Sequence, residues 1–173
     1  NGLSGQSVLF FNNYTNLLGA DLEAAGGGGT NEQFNGGAVQ TKGIEFNVTY
    51  DLLYLKSNSS FRLPVSLIYS YTDAKFLNDF DSEFDGWGEV SAGDQFPYLA
   101  NNQFTILLSL EHHKFSINLS GKYMDEMRTV PGQGEILSNE KTNSYFVIDA
   151  SANYNVHKNI SLFANATNLT NEV

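Results

Sequence analysis

Phe104-Thr105-Ile106-Leu107-Leu108-Ser109-Leu110-Glu111-His112-His113-Lys114-Phe115-Ser116-Ile117-Asn118-Leu119-Ser120-Gly121-Lys122-Tyr123 is the stretch on which the fold turns. Phe104, Ile106, Leu108 and Leu110 occupy every second position, with Thr105, Leu107 and Ser109 between them. After the polar link Glu111 to Lys114 the alternation resumes. Phe115, Ile117, Leu119 and Tyr123 then alternate with Ser116, Asn118, Ser120 and Lys122. A period of two sends apolar side chains to one face of a strand and polar ones to the other. A link this short joins antiparallel neighbours, because a parallel crossover needs a dozen residues or more.

The same period extends in both directions. Ile44, Phe46, Val48, Tyr50 and Leu52 form one apolar series, and Phe61, Leu63, Val65, Leu67, Tyr69 and Tyr71 form another. Phe146, Ile148, Ala150, Ala152, Tyr154 and Val156 follow, then Ile160, Leu162, Ala164 and Ala166. An earlier and less regular strand is expected around Ser7 to Leu18. The count is about seven strands, with no convincing helix. Their connections alternate strictly in length. Short ones fall near Tyr54 to Ser60, at Glu111 to Lys114, and at His157-Lys158-Asn159. Long ones cover roughly Gly19 to Thr41, Phe76 to Asn102, and Arg128 to Ser144.

A meander with turns on one side and long loops on the other is the pattern of a membrane-spanning barrel. Several strands reach about 10 residues, enough to cross a bilayer at a tilt, whereas globular strands run nearer 5 or 6. The polar faces carry Ser, Thr and Asn, as a water-lined lumen requires. A soluble sandwich would scramble the loop order through Greek-key crossovers. The expected class is therefore all-β, an antiparallel up-and-down transmembrane β-barrel segment.

Composition narrows the function classes. The formal net charge is −10, from 19 Asp and Glu against 9 Lys and Arg. That balance excludes a nucleic-acid partner, which needs a basic face. Absence of cysteine removes disulfides, thiolate metal sites and a thiol nucleophile. No run approaches the about 18 apolar residues of a spanning helix, which leaves barrel strands untouched. The chain opens on Asn1-Gly2-Leu3 without an initiator Met or a signal pattern, so it is expected to start after processing or partway through a gene product. Seven strands are an odd number, and an open sheet in lipid leaves backbone groups unsatisfied. Further strands are expected outside this sequence.

Four ordered patterns resemble the C-terminal barrel region of TonB-dependent outer-membrane receptors, and most of all the ferric citrate group. They are Phe10-Phe11-Asn12-Asn13-Tyr14-Thr15-Asn16-Leu17-Leu18 with the later Lys42-Gly43-Ile44-Glu45-Phe46, and Gly93-Asp94-Gln95-Phe96-Pro97-Tyr98 leading to Asn102-Gln103-Phe104. The third is Tyr123-Met124-Asp125-Glu126-Met127-Arg128-Thr129-Val130-Pro131-Gly132-Gln133-Gly134. The fourth is Phe163-Ala164-Asn165-Ala166-Thr167-Asn168-Leu169-Thr170-Asn171. The resemblance implies that residues 1–173 are part of the barrel domain of a plugged barrel of the roughly 22-stranded type, with the plug domain and the last strand absent. It also implies a parent that imports a ferric chelate, ferric citrate or another siderophore, in the bacterial outer membrane. The implied partners are the chelate, outer-membrane lipid, the plug of the same chain, and TonB through the absent N-terminal region. No cofactor is implied. The alternatives are a structural or adhesive outer-membrane β protein and a soluble carbohydrate-binding sandwich.

Candidate site residues are few. Lys122, Met124, Glu126 and Arg128 share the polar face of their strand, so Arg128 is expected at the outer mouth. There its guanidinium would grip a carboxylate of an anionic chelate, or form a lumen-wall salt bridge with Glu126 or a plug residue. Trp87, between Gly86 and Gly88, is either an exposed stacking anchor or packing for its own loop. Gln133 is the third expected mouth-lining contact. Asp79-Phe80-Asp81-Ser82-Glu83-Phe84-Asp85-Gly86 partly imitates a calcium loop, but Ala92 stands where a closing Glu belongs; a solvated acidic loop is expected. His112 and His113, adjacent at a strand end, are expected on opposite faces in a periplasmic turn, with no metal site. Gly26 to Gly29 form a loop tip without the Lys-Ser/Thr of a phosphate cradle. The Asn-x-Ser/Thr triplets, such as Asn47-Val48-Thr49 and Asn165-Ala166-Thr167, arise from strand alternation, not glycosylation. Nothing supports a catalytic constellation, so a non-enzyme is expected.

Overall fold

The computed structural model describes residues 2–20, 33–35, 37–56, 60–82 and 87–172. In chain order the strands are β1 (Leu3–Tyr14), β2 (Leu18–Ala20), β3 (Gln33–Asn35), β4 (Val39–Asp51), β5 (Phe61–Arg62) and β6 (Pro64–Phe76). They continue as β7 (Phe80–Asp81), β8 (Glu89–Val90), β9 (Asn102–His112), β10 (Phe115–Met124), β11 (Tyr145–His157) and β12 (Ile160–Ala166). The long ones hydrogen-bond in the order β1-β4-β6-β9-β10-β11-β12. Each pair is antiparallel. This is the expected seven-strand meander in one sheet, and among the described residues there is no helix.

The β9–β10 hairpin closes with a two-residue turn, His113-Lys114, since His112 pairs with Phe115. The β11–β12 hairpin closes at Lys158-Asn159 after a bulge between Asn155 and His157. β5 and β6 are a single wall strand, because Phe61↔His112 and Val65↔Leu108 share one register against β9. The interruption at Leu63 has a local cause. Pro64 has no N–H to give the ladder, and the Leu63 N–H turns to the Asp51 carboxylate at 3.0 Å. Asp51 also accepts from the Leu53 N–H and from Arg62 Nε, both at 3.1 Å. This buried carboxylate replaces the lost ladder at the short-turn end.

Directly opposed residues in antiparallel strands share a face. Phe46↔Tyr69, Tyr69↔Phe104, Phe104↔Tyr123 and Tyr123↔Phe146 therefore make one aromatic row across five strands. The Phe104 and Tyr123 rings stack at 5.0 Å, and Phe46 and Tyr69 lie at 5.4 Å. Toward the long loops, the Tyr69 hydroxyl donates to Asn102 at 2.8 Å, and the Asn102 amide donates to Asp125 at 2.9 Å. The Tyr123 hydroxyl reaches the same carboxylate at 3.2 Å. At the other end of the same face Phe61 stacks on His112 and Phe115 lies tilted against both, with Tyr154 opposite Phe115. From Phe104 to His112 the strand advances about 27 Å at ~3.4 Å per residue, or about 20 Å of height at a ~40° tilt. Between the two rows lie Ile106, Leu108, Ile117, Leu119, Val48 and Leu67, all part-exposed or exposed. An apolar band of this height between aromatic girdles is what a bilayer requires of a barrel's outer surface.

The opposite face is mostly polar, with Ile68, Leu107 and Phe163 as apolar exceptions, and it is internally bonded. Thr49 and Ser66 hydroxyls meet at 2.7 Å. Ser109 donates to Asn118 at 2.7 Å, and the Asn118 amide donates to Ser151 at 3.1 Å. Cross-strand polar pairs of this kind hold register on a wetted face.

Three sequence expectations need correction. The first strand runs Leu3–Tyr14 instead of starting at Ser7 and reaching Leu18, because Asn16 adopts φ 54° and turns the chain. The outer loops contain two small hairpins, β2–β3 and β7–β8, which no sequence period announced. His112 and His113 do not point apart: their ring centroids are 4.0 Å from each other. His113 already belongs to the turn, where strand alternation no longer applies, and His112 belongs to the aromatic stack. Gly26 to Gly29 lie outside the described residues.

Candidate functional site

The long connections are where function is expected, since loops on a rigid wall carry binding residues. Two of them, 77–101 and 125–144, interlock above the aromatic row. The sheet does not stop at its rim. The β9–β10 register carries on through Asp125 N–H to Asn102 O (3.0 Å) and Gln95 N–H to Gly132 O (2.9 Å), with Tyr98 N–H to Arg128 O (2.8 Å) one residue out of step between them. The β10–β11 register carries on through the Arg128↔Lys141 bridge, with Thr142 N–H to Met127 O and Thr129 N–H to Glu140 O at 2.9 Å each. On the other side, Gln95 bridges Lys75 while Phe76 N–H donates to Asp94 O and Phe96 N–H to Ala74 O. The two loops thus form a small sheet standing on the wall.

Asp94-Gln95-Phe96 is the hub of that sheet, and each of its residues engages one expected site residue. The Arg128 Nε–H donates to Gln95 Oε1 at 3.0 Å, and its Nη2 donates to the Gly134 carbonyl. Arg128 is only 5% exposed. Gln133 Nε2 donates to Asp94 Oδ1 at 3.1 Å, and the other Asp94 oxygen accepts the Ser91 N–H at 2.9 Å. Phe96 packs edge-on against Trp87 at 6.0 Å. Gly93 makes the approach possible. Its φ of 97° is closed to most side chains, and a Cβ there would come within 3.3 Å of Gln133.

Trp87 is 8% exposed and sits with Val39, Phe76 and Val90 in the buried hydrophobic cluster of the described residues. Phe76 is at its centre, 5.7 Å from Trp87 and 5.3 Å from both Phe80 and Phe96. A barrel wall faces lipid and lumen, so it has no interior of its own; the apolar core of the described residues sits at its loop end, where Val39 starts β4, Phe76 ends β6, and Trp87 and Val90 join them from the loop. Of the two readings for Trp87, the structure realises loop packing, and the exposed stacking anchor is set aside.

Arg128 is corrected as well. It lies under the 129–137 segment instead of at an open mouth, and its partner is not Glu126, which takes Lys141 at 2.6 Å. A cavity of about 10 Å³, room for one water, lies between Arg128, Asp73, Thr72, Gln95 and Ile136. Gln133 remains exposed, along with Tyr98 and Leu137. Sequence reasoning quoted Gly93 to Tyr98 as a pattern but gave it no part beside Arg128, Gln133 and Trp87; within it Tyr98, with a φ of 56°, kinks the ladder between Phe96 and Asn102. The Pro97-Tyr98 pair is the signal that was available, as proline disfavours a helical predecessor and marks a bend.

Of the acidic loop, residues 83–86 lie outside the described residues. Asp79 accepts the Ala92 N–H at 2.7 Å, and Asp81 stands directly across β7–β8 from Glu89. No group of three or more His, Asp or Glu side chains is placed to hold a metal ion among the described residues.

A wall of long antiparallel strands, banded with apolar and aromatic side chains on one face and mostly polar ones on the other, defines a segment of an outer-membrane β-barrel. The model of the TonB-dependent receptor-like β-barrel family matches residues 1–169, and the chain belongs to that family. It lies in the bacterial outer membrane and is part of a receptor family, not an enzyme family. Among curated proteins no sequence matches it. The fold is similar to that of Fiu, described as the ferric-catecholate import receptor of K12 E. coli, in its closed form. The TM-score is 0.62 at 20% identity, covering 98% of this chain and 21% of that one. The chain thus spans about a fifth of that receptor's length.

Proposed function

We propose that the parent protein is an outer-membrane active transporter that binds a ferric chelate, ferric citrate or another siderophore, and imports it with energy supplied through TonB. The observation that carries this reading is family membership over residues 1–169. The loop sheet supports it: a rigid platform at the outer end of the wall is suited to presenting side chains to a solute arriving from outside. Gln133, exposed at the crest, is the direct ligand contact in this reading. Arg128 and Trp87 act beneath it, holding the platform that positions Gln133. The plug domain and the TonB-contacting segment belong to the remainder of the parent chain.

The test is binding and uptake of iron-loaded chelates by the full-length receptor in outer-membrane vesicles and cells. Iron uptake that depends on the receptor and on an energised membrane is expected. Arg128→Ala should weaken binding by disordering the platform, and Gln133→Ala should weaken it with the platform intact. A receptor that binds no ferric chelate contradicts the proposal.

A further inference from the structure

Charge is divided unevenly between the two ends of the wall. The three short connections and the strand ends beside them hold Lys56, Arg62, Lys114 and Lys158, from a total of 9 Lys and Arg. All 3 histidines, His112, His113 and His157, lie there too. Of the 19 Asp and Glu only Asp51 and Glu111 fall at this end, and both pair with Arg62, at 3.1 and 3.4 Å. Lys56, Lys114 and Lys158 are exposed and have no carboxylate partner among the described residues. A chain of net charge −10 thus carries an uncompensated basic rim at its short-turn end.

The rim has a fixed place relative to the bilayer. On the lipid-facing side Phe61 stands opposite His112, His112 opposite Phe115, and Phe115 opposite Tyr154. Such an aromatic row marks the depth at which hydrocarbon gives way to headgroups. Lys114 comes next, in the turn. Its carbonyl accepts the Asn155 N–H at 2.7 Å, so this turn stands beside the end of β11, where His157 and Lys158 follow. His112 Nδ1 accepts the Lys114 N–H at 3.4 Å, and no carboxylate pairs with a histidine ring among the described residues.

We propose that this rim docks the phosphate-bearing headgroups of anionic phospholipids in the periplasmic leaflet, with Lys114 and Lys158 as the principal contacts. Charge complementarity selects the occupant. Short barrel turns face the periplasm, and each unpaired cation beside an anionic leaflet strengthens attachment about fivefold. Lysine suits the position, because its stem lies along apolar surface while its ammonium reaches outward to phosphate. The proposal requires only the barrel and stands apart from the ferric-chelate reading.

The experiment uses the full-length receptor in nanodiscs, with a bimane fluorophore on Asn159→Cys in the β11–β12 turn. Phosphatidylglycerol or phosphatidylcholine, each with a nitroxide near the headgroup, is the minor component, and quenching reports how much of each lipid gathers at the turn. At low salt phosphatidylglycerol should be enriched about fivefold or more over phosphatidylcholine, falling toward parity as salt rises. The Lys114→Gln, Lys158→Gln double variant, changed only at exposed turn positions, should bring the enrichment below about twofold. Lys42→Gln with Lys75→Gln, at the opposite end of the wall, should leave it unchanged. Equal quenching by the two lipids overturns the proposal, and so does an enrichment that the Lys114, Lys158 variant retains. Reversal of the quenching by inorganic phosphate beyond that by chloride of equal ionic strength would assign the rim to a free anion. Polyglutamate bound at the rim in phosphatidylcholine, without any lipid preference, would assign it to a soluble acidic partner. Either result also overturns the lipid assignment.

Discussion

Gly43 shows how much a single position decides. A Cβ at this site would lie 2.0 Å from the Tyr71 carbonyl oxygen and 2.6 Å from the Phe10 ring, which covers the glycine from the neighbouring strand. Gly43→Val should therefore cost about 1–3 kcal/mol of barrel stability, the scale of overpacking. Urea unfolding of the reconstituted receptor measures this, and an unchanged midpoint would refute the packing account. Arg128 is the second such position. Arg128→Ala leaves the Gln95 and Gly134 oxygens without their charged donor, an effect of about 1.5–3 kcal/mol. Arg128→Lys should not rescue it, because a single ammonium cannot reproduce the fork that reaches both. Limited proteolysis within 129–140 reads the loss as faster cleavage in both variants; wild-type rates in either would show that Arg128 does not brace the loop. The sequence pointed to Arg128 through strand parity, which is local. Its partners, 33 residues away at Gln95 and in its own loop at Gly134, depend on how two loops fold together, and no periodicity encodes that.

At the scale of elements, the wall strands were legible because alternation, length and turn chemistry agree. β9 and β10 fall where Phe104 to Tyr123 place them, and the His113-Lys114 turn is as short as the polar link suggests. β1 was less legible, since Phe10 and Phe11 are adjacent and blur the period, and Phe10 is apolar on the polar side to cover Gly43. The loop hairpins were not legible because they are two or three residues long, and β7–β8 is held by packing of Phe80 and Val90 on Phe76 and Trp87. The continuing ladder makes a prediction of its own. Gln95 and Gly132 are bridge partners, so cysteines at both positions fall within the Cα spacing of a disulfide, about 4.4–6.8 Å. Gln95→Cys with Gly132→Cys should cross-link on mild oxidation of the full-length receptor, detected as a mobility shift that reductant reverses. Failure to cross-link would mean that the loop sheet does not stand as described. Trp87→Ala should remove about 3–5 kcal/mol of loop packing and expose residues 77–101 to protease while the wall strands stay protected; equal protection in the variant would contradict the loop core.

For the molecule as a whole, one face of the meander meets lipid and the other meets a wetted lumen, and the loops stand where they do because of this. Apolar residues are exposed along the wall because the bilayer, not another part of the chain, covers them: Leu9, Ile117, Leu119 and Leu162 are between 44% and 78% exposed. The most direct test is a nitroxide scan along β9, Asn102 to His112, in the full-length receptor reconstituted in bilayers. Labels at Phe104, Ile106, Leu108 and Leu110 should be relaxed by oxygen, which partitions into lipid. Those at Thr105, Leu107 and Ser109 should be relaxed by a water-soluble nickel complex or shielded from both agents. A two-residue alternation between these responses is the predicted result. Uniform access of the nickel complex to both sets would contradict the barrel wall itself.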